Sequence, residues 1–266
     1  MKATVFLGGG RISSALIAGL RLAGYEPEIV VHDRNPGKLR ALRREFRVEV
    51  ARDLKSAVER AEILIVAVRP NSVADLLDEI VRCGAVVRTR VAVSLAAGIP
   101  LKKLRSRLGS RVRWTRAMPS PVCRIGHGLT AVTYDRNVPR RDRKRVRALF
   151  EQVGPVLEMA ESRFDAFNAA YSPSHGYHAL DTLAKAAQDA GLDRKTALTA
   201  GAHAFAEAIL YWRESGETLA DLLHESATPG GTSAATMAAM KRSGYEKAVA
   251  AGLRAGIQRA RLNARG

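Results

Sequence analysis

"ATVFLGGGRISSALIAGLRLAG", Ala3–Gly24, decides the fold of the first half of the chain. A short apolar run ends in three consecutive glycines. Behind them Ile12, Leu16 and Leu20 recur at helical spacing, and Gly24 supplies a stop. Within this stretch Gly8, Gly10 and Ser13 read as G-x-G-x-x-S. Gly8 permits the tight turn, Gly10 lets backbone approach a diphosphate, and Ser13 is small enough for helix-on-strand packing. The helix that opens with Arg11 and Ile12 aims its first N–H groups at the same place. A glycine triplet alone is weak. Following a first strand and opening a helix, it predicts a dinucleotide-binding turn.

Working outward, "EIVVHDR" reads as a second strand and "NPGKLRALRREF" as a second helix. "AEILIVAVRP" is a third strand, closed by Pro70, and "RVAVSLAAG" a fourth; "RVRWTRAMPS" and "GLTAVTY" are two more. Strands separated by helices imply an α/β fold with a mostly parallel sheet and right-handed crossovers. The second strand ends "HDRN". An acid in this place suits the ribose hydroxyls of NAD, and an arginine accommodates the extra phosphate of NADP. Asp33 and Arg34 offer both, and an arginine directly after the strand leans towards NADP. The plainer reading of Asp33 is a cap for the next helix. "RNVPRRDRKRVRALF" (Arg136–Phe150) reads as an amphipathic helix with Val146, Leu149 and Phe150 inward.

After "EQVGPVLEMAESR" the strand signal fades. "FDAFNAAY", "HALDTLAKAAQDAG", "RKTALTAGAHAFAEAILYWRESG", "LADLLHESA", "TSAATMAAMKRSG" and "YEKAVAAGLRAGIQRARLNA" read as alanine-rich helices, with Gly191, Gly216 and Gly244 as stops. Segments such as "ALTAGAHAFAEAIL" are apolar around most of the circumference, so they are buried within one chain or between chains. The expectation is an α/β dinucleotide-binding domain over residues 1–160, an all-α domain over 161–266, and a homodimer made through the helices. A second glycine loop, "ATPGGTSAAT" (Ala227–Thr236), opens a helix expected to begin at Ser233. It is either a plain capped loop or a cradle for an anion.

Composition excludes several functions. The net charge is +17, from 43 Lys and Arg against 26 Asp and Glu, but the arginines are scattered and aromatics make up only 5%. Stacking platforms for nucleic acid are therefore scarce, and the positive field suits a phosphorylated cofactor and a carboxylate substrate. No run approaches the eighteen or so apolar residues of a membrane span. The strand-like start implies no leader, and isolated Cys83 and Cys123 imply reduced thiols, so a cytoplasmic location is expected. His175, His178 and Asp181 form H-x-x-H-x-x-D, but successive helical steps splay the outer two by about 120°. No metal is assigned.

The ordered set "GGGRIS" (8–13), "AVRP" (67–70), "SLAAGI" (94–99), "RAMPS" (116–120), "IGHG" (125–128), "FDAFNA" (164–169) and "TPGGTS" (228–233) resembles the pyrroline-5-carboxylate reductases. These enzymes make proline by reducing a cyclic imine with NAD(P)H. The resemblance spans nearly the whole chain and implies a Rossmann-type N-terminal domain and a helical C-terminal dimerisation domain. It implies that Ala67, Val68, Arg69 and Pro70 border the nicotinamide, with Arg69 in place of the usual lysine. Met118 and Pro119 would close the other flank, with Ser120 replacing an asparagine at the cofactor edge. Pro229, Gly230, Gly231, Thr232 and Ser233 would bind the substrate carboxylate, Ser233 falling beside the imine. One segment departs from the family: "AYSPSH" (Ala170–His175) stands where "SGSGPAY" is usual, which sets Tyr171 and His175 at the substrate wall. That departure keeps open a different imino acid or a related deazaflavin-linked NADP oxidoreductase. A non-catalytic NAD(P)-binding protein is the third reading.

Overall fold

The structure, a computed structural model, describes residues 3–85, 91–109 and 112–264. Its first half alternates β1 (Ala3–Leu7), α1 (Arg11–Leu22), β2 (Ile29–His32), α2 (Pro36–Phe46), β3 (Glu49–Val50), α3 (Leu54–Arg60), β4 (Ala61–Val66), α4 (Val73–Arg82), β5 (Val91–Ser94), α5 (Leu101–Leu108), β6 (Arg113–Pro119), β7 (Thr130–Tyr134), α6 (Arg140–Glu151) and β8 (Val156–Glu158). Helices follow: α7 (Glu161–Ala170), α8 (Pro173–Asp189), α9 (Arg194–Ser215), α10 (Leu219–Glu225), α11 (Thr232–Arg242) and α12 (Tyr245–Asn263). Arg90 and Arg111, the first residues of two expected strands, lie outside the described residues.

Among the described residues the strands form one sheet in the order β3-β2-β1-β4-β5-β6-β7-β8. Pairings are parallel except β6 with β7. The chain between those two holds only a short 3-10 turn, Pro121–Ile125, and a parallel return needs a longer crossover. Period-two alternation sends successive β1 side chains to opposite faces. Val5 and Leu7 join a core with Leu54, Leu77 and Leu104 from α3, α4 and α5. Phe6 joins the other, with Leu16, Leu42 and Phe150 from α1, α2 and α6. Each such fully buried side chain contributes about 1.5–3 kcal/mol. In α6, Val146, Leu149 and Phe150 face inward as expected, and buried Asp142 is paired with Arg113 at 2.7 Å.

By its contacts the chain divides between Asn168 and Ala169, and residues from Ile257 onward rejoin the first unit. The expected division is at 160/161; by contacts α7 as far as Asn168 and the end of α12 go with the first unit. The reason is tertiary. Glu161 and Asp165 on α7 bind Arg116 of β6. The end of α12 lies on Gly98, whose added Cβ would meet the Ala260 carbonyl oxygen at 2.1 Å.

In the second unit α8 packs on α9, with Ala184, Ala197 and Gly201 buried. A Cβ on Gly201 would sit 3.0 Å from Leu180 Cδ1, so the glycine allows the close approach. Further along α9, Ile209, Leu210, Tyr211 and Trp212 remain 45–58% exposed. Gly216 and Gly244 stop helices with φ of 75° and 83°, and Gly191 with 106°. No helix of the described residues is long and apolar enough to cross a membrane.

Candidate functional site

The strand order reverses direction between β1 and β4, and in open α/β sheets the crevice beyond the strand tips at such a point takes the ligand. Here the tips are stitched together by backbone. Gly8 N–H donates to His32 O at 2.8 Å, Ala67 N–H to Leu7 O at 2.8 Å, and Leu95 N–H to Val66 O at 2.9 Å. The β1 turn and the segment after β4 are thus neighbours, so Gly8, Gly10, Ala67, Val68, Arg69 and Pro70 come to one edge.

Gly8 has φ of +111°, and an added Cβ would lie 2.7 Å from Ala67 O. Both the left-handed conformation and the approach of β4 require glycine there. Gly10 differs. It is the N-cap of α1 with φ of −80° and no side-chain cap, and among the described residues nothing beyond its chain neighbours lies within 4 Å of its would-be Cβ. The open space over an uncapped helix N-terminus is what a diphosphate needs. Ser13, fully buried, donates its hydroxyl to Gly8 O at 2.5 Å, so it ties the turn as well as fitting it. Arg11 is exposed and Ile12 half-buried at the mouth.

Asp33 stands at the end of β2 and accepts from Gly9 N–H and Asn35 N–H, each at 2.7 Å. Burial alone raises its pKa, but these bonds and the Lys38 ammonium at 3.5 Å hold the carboxyl below the ordinary range. The cap of α2 is Asn35, whose side chain accepts from Gly37 and Lys38 N–H, with Pro36 in the first turn. Asp33 therefore does not cap α2. It is an ionised group bound to the glycine turn, beside exposed Arg34. This donor and acceptor set fits a dinucleotide: open amides for the diphosphate, and paired opposite charges where the adenosine ribose ends.

Across the sheet, Met118 and Pro119 end β6, half-buried and buried. Ser120, also buried, caps the following 3-10 turn by accepting from Val122 N–H at 3.3 Å. The loop Leu95–Ile99 after β5 belongs to the same rim through Leu95. None of its residues was an expected site residue, although "SLAAGI" stands in the ordered set of motifs. Its signal was its place directly after a strand, where α/β sheets bind ligands.

The late glycine loop repeats the design in the second unit. Gly230 has φ of +79°, and Gly231 N–H returns to Thr228 O at 2.9 Å. Gly231, with φ of −78°, is the N-cap of α11 and again has no side-chain cap. The helix starts at Thr232, one residue earlier than expected. Pro229, Gly230, Thr232 and Ser233 are exposed, so the first-turn N–H groups are open to an anion. Tyr171 precedes α8. His175 Nε2–H donates to Ala169 O at 2.8 Å. Asp181 pairs with Lys185 at 2.6 Å, so two members of the H-x-x-H-x-x-D set have protein partners.

Comparison with known proteins agrees with both halves. The family described as "NADP oxidoreductase coenzyme F420-dependent" matches residues 4–98, and that described as "Pyrroline-5-carboxylate reductase dimerisation" matches residues 161–262. The chain is 31% identical to pyrroline-5-carboxylate reductase of Mycobacterium leprae, over 96% of this chain and 94% of that one. It is likewise 31% identical to the enzyme of Mycobacterium tuberculosis, over 97% and 96%. The fold is that of a pyrroline carboxylate reductase of Plasmodium falciparum solved with NADP bound, with a TM-score of 0.88, 19% identity and 98% coverage of both chains. A Streptococcus pyogenes 1-pyrroline-5-carboxylate reductase gives 0.90, with 24% identity and 98% coverage of both. With near full-length identity at this level, the chain belongs to the pyrroline-5-carboxylate reductase family.

Proposed function

We propose that the protein reduces 1-pyrroline-5-carboxylate to proline with a nicotinamide cofactor, NADPH by preference. The observation that carries this reading is the Thr228–Ser233 turn, an uncapped helix N-terminus preceded by two glycines and flanked by hydroxyls. It suits a carboxylate, which accepts from several N–H groups and gains from the helix dipole. In this reading Pro229 fixes the entry of the turn, Gly230 and Gly231 expose backbone donors, and Thr232 and Ser233 add hydroxyl donors. The bound cofactor supplies the hydride to the imine carbon.

The residues here need little acid–base power, because a protonated imine is already electrophilic and keeps its proton at nitrogen as the carbon is reduced. Their task is to hold the ring in place, where effective molarity supplies several kcal/mol of the barrier. Ser233 Oγ is assigned to the ring nitrogen, accepting from its N–H. Tyr171 and His175 form the wall that recognises the rest of the ring. The diphosphate is assigned to Gly8–Ser13. Ala67, Val68, Arg69 and Pro70 are assigned to one flank of the nicotinamide, and Met118, Pro119 and Ser120 to the other. The test is to follow NADPH and NADH consumption with pyrroline-5-carboxylate and a panel of other cyclic and acyclic imines. Turnover of the first supports the reading. Turnover of another imine alone replaces the substrate, and nucleotide binding without any turnover rejects the enzyme.

Arg34 is assigned to the extra phosphate of NADPH. With Asp33 ionised beside it, removing the cation leaves a carboxylate, paired with Lys38, against the added phosphate. Arg34→Ala is expected to raise KM for NADPH about tenfold while leaving that for NADH within about twofold. Equal change for both cofactors would contradict the assignment.

We also infer a homodimer through the helical half, in a reducing cytoplasm where Cys83 and Cys123 stay thiols. The support is the half-exposed apolar stretch Ile209–Trp212 and the family match over the same residues. Leu210→Asp is expected to convert the dimer to monomer at micromolar concentration, read by light scattering after size exclusion. An unchanged mass rejects this face as the interface.

A further inference from the structure

Arg116 is 2% exposed on β6, two residues before Met118. One terminal nitrogen donates to Asp165 at 2.9 Å and the other to Glu161 at 3.3 Å, while the guanidinium lies 4.6 Å from the ring centre of Phe164. All three partners lie on the first turns of α7. Its Nε is buried and finds no partner among the described residues. A buried ion pair with an idle donor is a poor source of stability, since apolar residues of like volume fill such a place at less cost. What it provides is fixed geometry, through a planar fork stacked on a ring.

The same Glu161 oxygen that meets Arg116 also accepts from Leu101 N–H at 2.7 Å. Leu101 opens α5 and closes the loop after β5. The other end of that loop is Leu95, bonded to the tip of β4. Between them Gly98 lies on the Ala260 backbone, and Asn263 donates to Ala97 O at 3.4 Å. One buried cation thus sits behind two strand tips, β5 and β6. Both border the side of the switch point where the nicotinamide half of a dinucleotide lies.

We propose that Arg116 is a positioning residue for hydride transfer. It orients Glu161, Glu161 holds the amide of Leu101, and the loop Leu95–Leu101 is thereby set against the strand tips that flank the reactive ring. The proposal rests on the reductase reading for its kinetic arm and on the chain's own backbone for the other. Arg116 touches neither substrate nor cofactor; it acts through the loop.

The experiment compares wild type with Glu161→Ala, Glu161→Gln, Asp165→Ala and Arg116→Met. It measures kcat, the Kd for NADPH and amide hydrogen exchange over the Leu95–Leu101 segment. Glu161→Ala is expected to lower kcat by about tenfold or more, since sub-ångström misplacement has effects of this order, with Kd for NADPH within about twofold. Exchange in the segment should speed up. Glu161→Gln, which keeps an acceptor oxygen for Leu101 N–H, should recover most of both. Asp165→Ala, which leaves the Leu101 bond in place, should do less than Glu161→Ala. Arg116→Met should behave as Glu161→Ala does, and the two losses should not add in the double variant. If Arg116→Met does not fold, Arg116→Lys, which keeps the cation but not the planar fork, takes its place, and wild-type exchange and kcat in the Arg116 variant that folds overturn the role of Arg116. The proposal is overturned if exchange is the same in wild type and Glu161→Ala, or if kcat falls only in step with nucleotide affinity. If wild type fails to reduce the imine, the reductase reading is lost, while unchanged or restored exchange still judges the tether.

Discussion

Gly10→Ala is expected to weaken nucleotide binding about ten- to a hundredfold with Tm held within about 4 °C, whereas Gly8→Ala loses both affinity and more stability than that. The two glycines sit two residues apart in one turn but meet different physics. At Gly10 the backbone φ of −80° suits any residue and, among the described residues, no atom beyond its chain neighbours lies within 4 Å of an added Cβ. The folded chain therefore tolerates the methyl group, at about 1 kcal/mol, the difference between glycine and alanine at a helix N-cap. The methyl group instead occupies the space over the first-turn amides of α1, the place assigned to the diphosphate. At Gly8 the φ of +111° and the Ala67 carbonyl oxygen at 2.7 Å are both internal to the protein. A side chain there carries about 1–3 kcal/mol of backbone strain and forces β1 and β4 apart at their tips. Isothermal titration with NADPH, set beside thermal melts of the same samples, separates the cases. Wild-type affinity in Gly10→Ala would remove the diphosphate from this turn.

The parts of this molecule that were legible in the sequence are those set by neighbours along the chain. β1, the glycine turn and α1 need only an apolar run, a small-residue turn and a 3.6-residue period, and all three are local. The helices α7 to α12 of the C-terminal half were equally readable, with glycine stops at Gly191, Gly216 and Gly244. β3 and β8 were not, because strands of two and three residues have no period to detect. Contacts distant in sequence decided the rest. By contacts α7 joins the first unit as far as Asn168, because a buried cation on β6 holds its first turns. The end of α12 returns to the first unit because Gly98 leaves room for the Ala260 backbone. Asn35, rather than Asp33, caps α2 because the Asp33 carboxylate is drawn to Gly9 N–H, 24 residues away. Of the candidate site, the two glycine turns announced themselves by residue type. The Arg116, Glu161 and Leu101 chain did not, since nothing local distinguishes a buried arginine from an exposed one in a chain with 43 Lys and Arg.

Ser233→Ala is the second large effect. It is expected to lower kcat/KM for pyrroline-5-carboxylate by about a hundredfold, as loss of a single aimed hydrogen-bonding group in an active site does, and to leave the Kd for NADPH within about twofold. The side chain is exposed in the first turn of α11, so its removal opens no cavity and costs the fold little. The two hydroxyls of the turn are not equivalent. Thr232 is the first helical residue and its carbonyl accepts from Thr236 Oγ1 at 3.0 Å; Thr232→Val keeps the shape and removes only the hydroxyl, so its effect should fall mainly on KM, through the carboxylate. Gly231→Ala should also act on KM. Its φ of −78° is unstrained, but a Cβ would lie 2.7 Å from Thr228 Oγ1 and 3.0 Å from Thr228 O, tightening the turn against the anion it is meant to hold. The three variants thus predict a split. Ser233 governs the chemical step, Thr232 and Gly231 govern carboxylate binding, and none touches the nucleotide. Initial rates over both substrates, with nucleotide affinity measured separately, read all three. Equal loss of kcat/KM and nucleotide affinity in Ser233→Ala would move that hydroxyl away from the substrate.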